Sequence, residues 1–159
     1  MKTLTGQLKQ AGISLLEVLL SLAIISIVLV MAVQWFGKAR SDQQLNIVRT
    51  FIGADMAAIQ AYGINNNGDY TGLDWKPLVD NGYLTTDTKN LNCTDGGCTQ
   101  VTPWGKDVTI GGQQTAQPTL SIPLPNSNLC QNLVQSYGAK YVACDDAGTA
   151  TITINGVDG

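Results

Sequence analysis

Residues 10–17 of this chain read QAGISLLE, and residues 18–33 continue as VLLSLAIISIVLVMAV without a charge. From Ile13 to Phe36 there are 24 residues and one ionisable side chain, Glu17. A helix needs ~20 apolar residues to cross the hydrocarbon of a bilayer, so this run is long enough to span one. It exceeds the ~7–15-residue apolar core of an ordinary secretory signal. It also has no small-x-small cleavage site at its far end, and runs instead through Gln34, Trp35 and Phe36, an aromatic pair where an interfacial belt would sit. Glu17 is the anomaly. A carboxylate at mid-bilayer costs ~2.5–3.5 kcal/mol on insertion scales. Glu17 lies about one turn inside the run, and its position alone leaves two readings: a charge tolerated near the headgroups, or a functional charge with a specific partner.

The flanks suggest an orientation. Lys2, Lys9 and the N-terminus precede the run, which argues that this end stays in the cytoplasm, although Lys38 and Arg40 on the other side make the bias modest. All four cysteines, Cys93, Cys98, Cys130 and Cys144, follow the apolar run. An even number on one side of a membrane segment points to disulfides in an oxidising compartment. Four cysteines allow 3 pairings, and their number does not choose among them. Their spacing, C-x4-C and then C-x13-C after a long gap, is a poor match to a zinc site.

Composition excludes more than it assigns. The 159 residues suffice for one domain plus one extra element, with a core that needs no metal or cofactor. Charged residues make up 13% and the net charge is −3, so there is no basic footprint for nucleic acid. Histidine is absent, which removes the commonest general base, metal ligand and partner of a Ser or Cys nucleophile. No acid/base carboxylate pair and no phosphate-cradling glycine motif stands out, so the expectation is no enzyme, no cofactor and no metal. Asn92-Cys93-Thr94 fits a glycosylation triplet, which is weak evidence by itself. Asp69, Asp80, Asp87, Asp95 and Asp158 sit beside Gly, Asn or Thr and read as loop and turn residues.

Beyond Gly37 the apolar run turns amphipathic. No proline occurs from Met1 to Lys76, so one helix can run from Ile13 to Tyr62, about 75 Å at 1.5 Å per residue. Leu45, Val48, Ile52, Met56, Ile59 and Tyr62 recur at spacings of three and four, with Ile47, Phe51, Ala54, Ala58 and Ala61 widening the stripe. Gly63 fits the residue after the helix end. INNNGDYTG then reads as a loop, and LDWKPLVDNG as a short helix capped by Asp74 and ended by Asn81-Gly82. NCTDGGC reads as a turn-rich loop. DVTI (107–110) and TLSIPL (119–124) read as strands, NSNLCQNLVQSYG as a helix ended by Gly138, and KYVA and TATITI (149–154) as closing strands. The expected fold is α+β: a long N-terminal helix packed on a small antiparallel sheet, with one further helix near the C-terminus. In this layout Cys130 and Cys144 bracket an adjacent helix and strand, and Cys93 and Cys98 close a small loop, so Cys93–Cys98 and Cys130–Cys144 are the expected disulfides.

A glycine directly before the apolar run and a glutamate as the fifth residue after it resemble the processing site of the type IV pilin family. The resemblance covers the leader junction and the whole apolar segment. It implies a leader, residues 1–12, cut after Gly12 by a prepilin peptidase on the cytoplasmic face. Ile13 would then be the N-methylated first residue of the mature chain. Residues 13–36 would be the membrane and assembly helix, 37–62 its amphipathic half, and 63–159 the globular head. Glu17 takes the place of the family's glutamate, which pairs with the terminal amine of a neighbouring subunit during assembly. The family often has a proline in the first half of this helix, and this chain lacks it. GDYTGL, WGKDVTI, the late cysteine-bearing helix, the twelve-residue leader and a first residue other than Phe are similar to type IVb pilins, the subgroup of enteric adhesive and conjugative pili.

The function so implied is a structural pilus subunit serving adhesion, conjugation, DNA uptake or motility. Its partners would be copies of itself in a helical polymer, the peptidase, the inner-membrane assembly machinery and inner-membrane lipid. The head would lie in the periplasm before assembly and in an extracellular pilus afterwards. The alternatives are a pseudopilin of a type II secretion system and a minor, priming pilin. Pseudopilins resemble one another in a C-terminal calcium loop, and Asp145, Asp146 and Asp158 do not have that spacing. A plain membrane-anchored binding module is a further possibility, opposed by the Gly12–Glu17 spacing.

Overall fold

The computed structural model describes residues 14–88, 90–115 and 117–155. The chain divides into two compact units, with the boundary between Ser41 and Asp42. The first helix, α1, is Leu15–Asn65, 51 residues long, and it contributes to both units. The other elements belong to the second unit: α2 (Trp75–Asp80), β1 (Leu91–Thr94), β2 (Gly97–Val101), β3 (Asp107–Gly111), β4 (Thr119–Pro123), α3 (Ser127–Tyr137), β5 (Val142–Cys144) and β6 (Thr149–Thr153).

The second unit is α+β. Its six strands form one antiparallel sheet in the order β1-β2-β3-β4-β6-β5. Alternation along the strands separates two faces. Val108, Ile110, Leu120, Ile122, Val142, Ala150 and Ile152 are buried, and Leu45, Val48, Phe51, Ile52, Ala58, Ile59 and Tyr62 of α1 join them in one core. The opposite face carries hydroxyls, with Thr109 in register with Ser121, and Ser121 with Thr151. Burying the apolar side chains is worth roughly 25 cal/mol per Å² and is the main force holding helix to sheet.

The short helices end where the sequence has capping residues. The Asp74 carboxylate accepts from Trp75 N at 2.8 Å to start α2, and the buried Trp75 indole donates to the Val108 carbonyl of β3 at 3.1 Å. Asn126 accepts from Leu129 N at 3.0 Å to start α3, and Gly138, at φ +92°, ends it. The Tyr137 hydroxyl donates to the Arg49 carbonyl at 3.2 Å, which ties α3 to the second half of α1. Cys93 is bonded to Cys98 across the β1–β2 hairpin, and Cys130 of α3 to Cys144 of β5.

Three local expectations need correction. NCTDGGC is a β-hairpin: Cys93 and Cys98 are cross-strand partners, with Thr94 opposite Gly97 at the turn. Pairing with β3 extends the sheet to this hairpin, although its own sequence is too rich in turn residues to suggest strands. Gly63 lies inside α1, which continues to Asn65. The ring of Tyr70 occupies the space a Cβ at residue 63 would need, so the glycine serves close approach and not the helix end. The buried stripe also takes in Asp55, with Met56 partly buried against the core beside it and Ala54 outside it. The spacing 45, 48, 52, 55, 59, 62 is unbroken, and Asp55 is buried.

Candidate assembly site

What the described residues of the first unit present is a helix surface. Its backbone amides from Glu17 onward enter the helical ladder, with Glu17 N and Val18 N both donating to the Ser14 carbonyl, at 2.9 and 3.2 Å. Leu, Ile and Val residues are exposed at consecutive positions around the whole circumference, from 45% at Val18 to 80% at Leu15. A helix that is apolar all round needs an apolar surrounding, either lipid or other helices. It is long and apolar enough to cross a membrane. Ser21 and Ser26 do not break this surface, since each hydroxyl donates back to a carbonyl four residues earlier, Glu17 at 2.8 Å and Leu22 at 2.7 Å. A side chain satisfied within its own turn presents little unmet polarity to lipid or to a neighbouring helix.

Glu17 is therefore the one charged group on this apolar surface between residues 14 and 36, and it is exposed, in the first turn of α1. A carboxylate there has the helix N-terminus as a favourable neighbour, because the first turn leaves backbone N–H groups unpaired and carries partial positive charge. In a low-dielectric setting it would also strongly favour a cationic partner. Gly12 and Ile13, the expected processing residues, lie outside the described residues, so the geometry of this site begins at Ser14.

Among the described residues no group of His, Cys, Asp or Glu side chains could hold a metal ion. Asp145 is committed to a turn: its carboxylate accepts from Thr149 N at 2.6 Å, and that bond, above others from the same loop, holds its pKa below the usual carboxylate range. Asp69 is held low by Thr71, first through its side chain and then through its backbone N–H, which donates at 2.8 Å. Asp80, expected in a turn, ends α2 and pairs with Lys76 at 3.2 Å, an exposed contact of the kind that contributes little.

Comparison with known proteins agrees with this location. Residues 7–33 match the family model described as the prokaryotic N-terminal methylation motif. The match ends before the amphipathic half of α1 and includes none of the sheet. No curated protein and no solved structure matches the chain.

Proposed function

We propose, from the type IV pilin and prepilin signature that this chain carries, that it is a structural subunit of a type IV pilus. The observation that supports this most is the combination at residues 7–36: a methylation motif that leads directly into a helix apolar on every face and bearing one carboxylate. Cleavage after Gly12 creates an amine at Ile13. Glu17 of one subunit then pairs with the amine of a neighbour. Each charge alone is costly away from water, while the two together attract strongly. A subunit docked in register satisfies both, and one out of register satisfies neither, so Glu17 acts as a registry device. The apolar helices pack into the filament core and exclude lipid and water from one another. The disulfide-bonded heads face outward.

Before assembly the subunit is held in the inner membrane with its head in the periplasm, where an oxidising environment closes Cys93–Cys98 and Cys130–Cys144. The peptidase, the assembly machinery of the inner membrane and further copies of the chain are its partners, and its head is similar to the type IVb subgroup. The test is N-terminal analysis and intact mass of protein extracted from membranes containing a prepilin peptidase. The expected result is loss of residues 1–12 and a methylated Ile13. An intact Met1 under those conditions would refute the reading.

A further inference from the structure

Asp55 projects into the core from the second half of α1, between Ile52 and Ile59 on the buried stripe. It is 0% exposed, and so is Gln100 of β2. The Gln100 amide is the polar group that acts on the Asp55 carboxyl. The two side chains nonetheless stop short of ordinary hydrogen-bond geometry, and four buried polar atoms are left without partners: Oδ1 and Oδ2 of Asp55, Oε1 and Nε2 of Gln100. Buried polar atoms in folded proteins are nearly always paired, so four orphans on two facing side chains need a chemical explanation.

The protonation state supplies it. An ionised carboxylate only accepts. It could take one hydrogen bond from Nε2, but its second oxygen would then face Oε1, lone pair against lone pair. A protonated carboxyl donates its O–H to Oε1 and accepts from Nε2–H at its carbonyl oxygen. The two groups can then close a cyclic acid–amide pair in which all four atoms have a partner. Burial favours the same state, since an unpaired carboxylate in the core is far costlier than a neutral acid. No charged side chain of α1, α2, α3 or the sheet offsets it among the described residues: burial and the Gln100 amide are the two influences on this carboxyl.

We propose that Asp55 and Gln100 form a proton-linked clasp, in which the acid enters the core with its proton, closes a cyclic pair joining the second half of α1 to β2, and releases that pair when rising pH removes the proton. The clasp lies within the second unit, so it reads the pH around the head and is independent of how the first unit is anchored or processed. Burial pushes the Asp55 pKa up from 3.8 to about 8, with the Gln100 amide opposing it. The folded value lies above the unfolded one. The contribution of the neutral pair is therefore fully present below about pH 4 and is lost progressively as pH rises to about 8.

The experiment is thermal unfolding of the full chain in detergent micelles across that range, followed by amide hydrogen exchange on α1 and β2. The wild-type midpoint is expected to fall as pH rises from about 5 to about 8 and then level off, with exchange accelerating in residues 52–59 and 97–101. Asp55→Asn replaces the acid with an amide that pairs with Gln100 at every pH, so its midpoint should be flat across this window. A flat wild-type profile, or the wild-type slope retained in Asp55→Asn, would overturn the clasp. Infrared titration covers the case in which Asp55→Asn does not fold. The Glu17→Gln chain, which carries no membrane-segment carboxyl, should keep a protonated-carboxyl carbonyl band at neutral pH that disappears near pH 8. Absence of that band at neutral pH would overturn the proposal equally.

Discussion

Glu17 opens a helix surface whose following side chains, from Val18 to Val33, are apolar or, at Ser21 and Ser26, satisfied within their own turn. Two substitutions separate its roles. Glu17→Val removes the charge and should leave membrane insertion intact or improved, because an apolar residue replaces one that costs ~2.5–3.5 kcal/mol at mid-bilayer. Filament yield from sheared cells should nevertheless drop sharply, and normal yield at normal membrane levels would remove the registry role. Gly63 gives a prediction of a different kind. Alanine would improve helix propensity by about 1 kcal/mol, but its Cβ would enter the Tyr70 ring, and overpacking costs typically 1–3 kcal/mol. Gly63→Ala should therefore lower the thermal midpoint, and Gly63→Ala with Tyr70→Leu should recover part of the loss. Asp55 shows where residue-level reading failed. Its 3–4 spacing with Ile52 and Ile59 is visible in the sequence, but a carboxylate on a core stripe goes against expectation, and Met56 next to it offered an easy substitute. An acid at a core position of a helical stripe is a signal for a protonated or paired group.

At the scale of elements, helices and strands with strong periodicity were legible. The alternation in TLSIPL and TATITI gave β4 and β6, and Asp74 and Asn126 gave the starts of α2 and α3. The β1–β2 hairpin was not legible, because β1 is held by pairing with β2 and β2 by pairing with β3, and not by their own residue preferences. Capping gives a quantitative test: Asn126→Ala leaves Leu129 N without its acceptor and should cost about 1 kcal/mol, read as a fall in thermal midpoint. The Cys130–Cys144 bond joins α3 to β5 over a separation of 14 residues. Replacing both cysteines by alanine should cost about 3 kcal/mol by loop-closure entropy. Reduction of the wild-type chain, which also opens Cys93–Cys98, should cost at least as much, and an unchanged midpoint in both would show that α3 is held by packing alone.

For the whole molecule, the sequence carries two kinds of information of unequal strength. Residues 7–33 form a compact local signature, a glycine, an apolar residue and a glutamate leading an uncharged helix, and a family model matches the same stretch. Such a signal is readable because processing by an enzyme and packing in a dense core both demand particular residues at particular spacings. The head is an α+β sheet with a helix-bearing core, consistent with a pilin fold, yet its outward face of Thr and Ser residues and its loops hold no comparable pattern. Many side chains serve equally well on a solvated sheet face, so the pattern of contacts there specifies a fold and not a partner. The N-terminal helix therefore carries the proposed role of polymer subunit, in which the head would be what the polymer displays.

The central claim is that this chain polymerises after cleavage, and fibres sheared from the cell surface test it most directly. Their subunits, identified by mass spectrometry, are predicted to be this chain beginning at a methylated Ile13, and to vanish from the sheared fraction when Glu17 is replaced by Val. Fibres that lack the chain, while it accumulates in the membrane with Met1 still attached, would contradict the account.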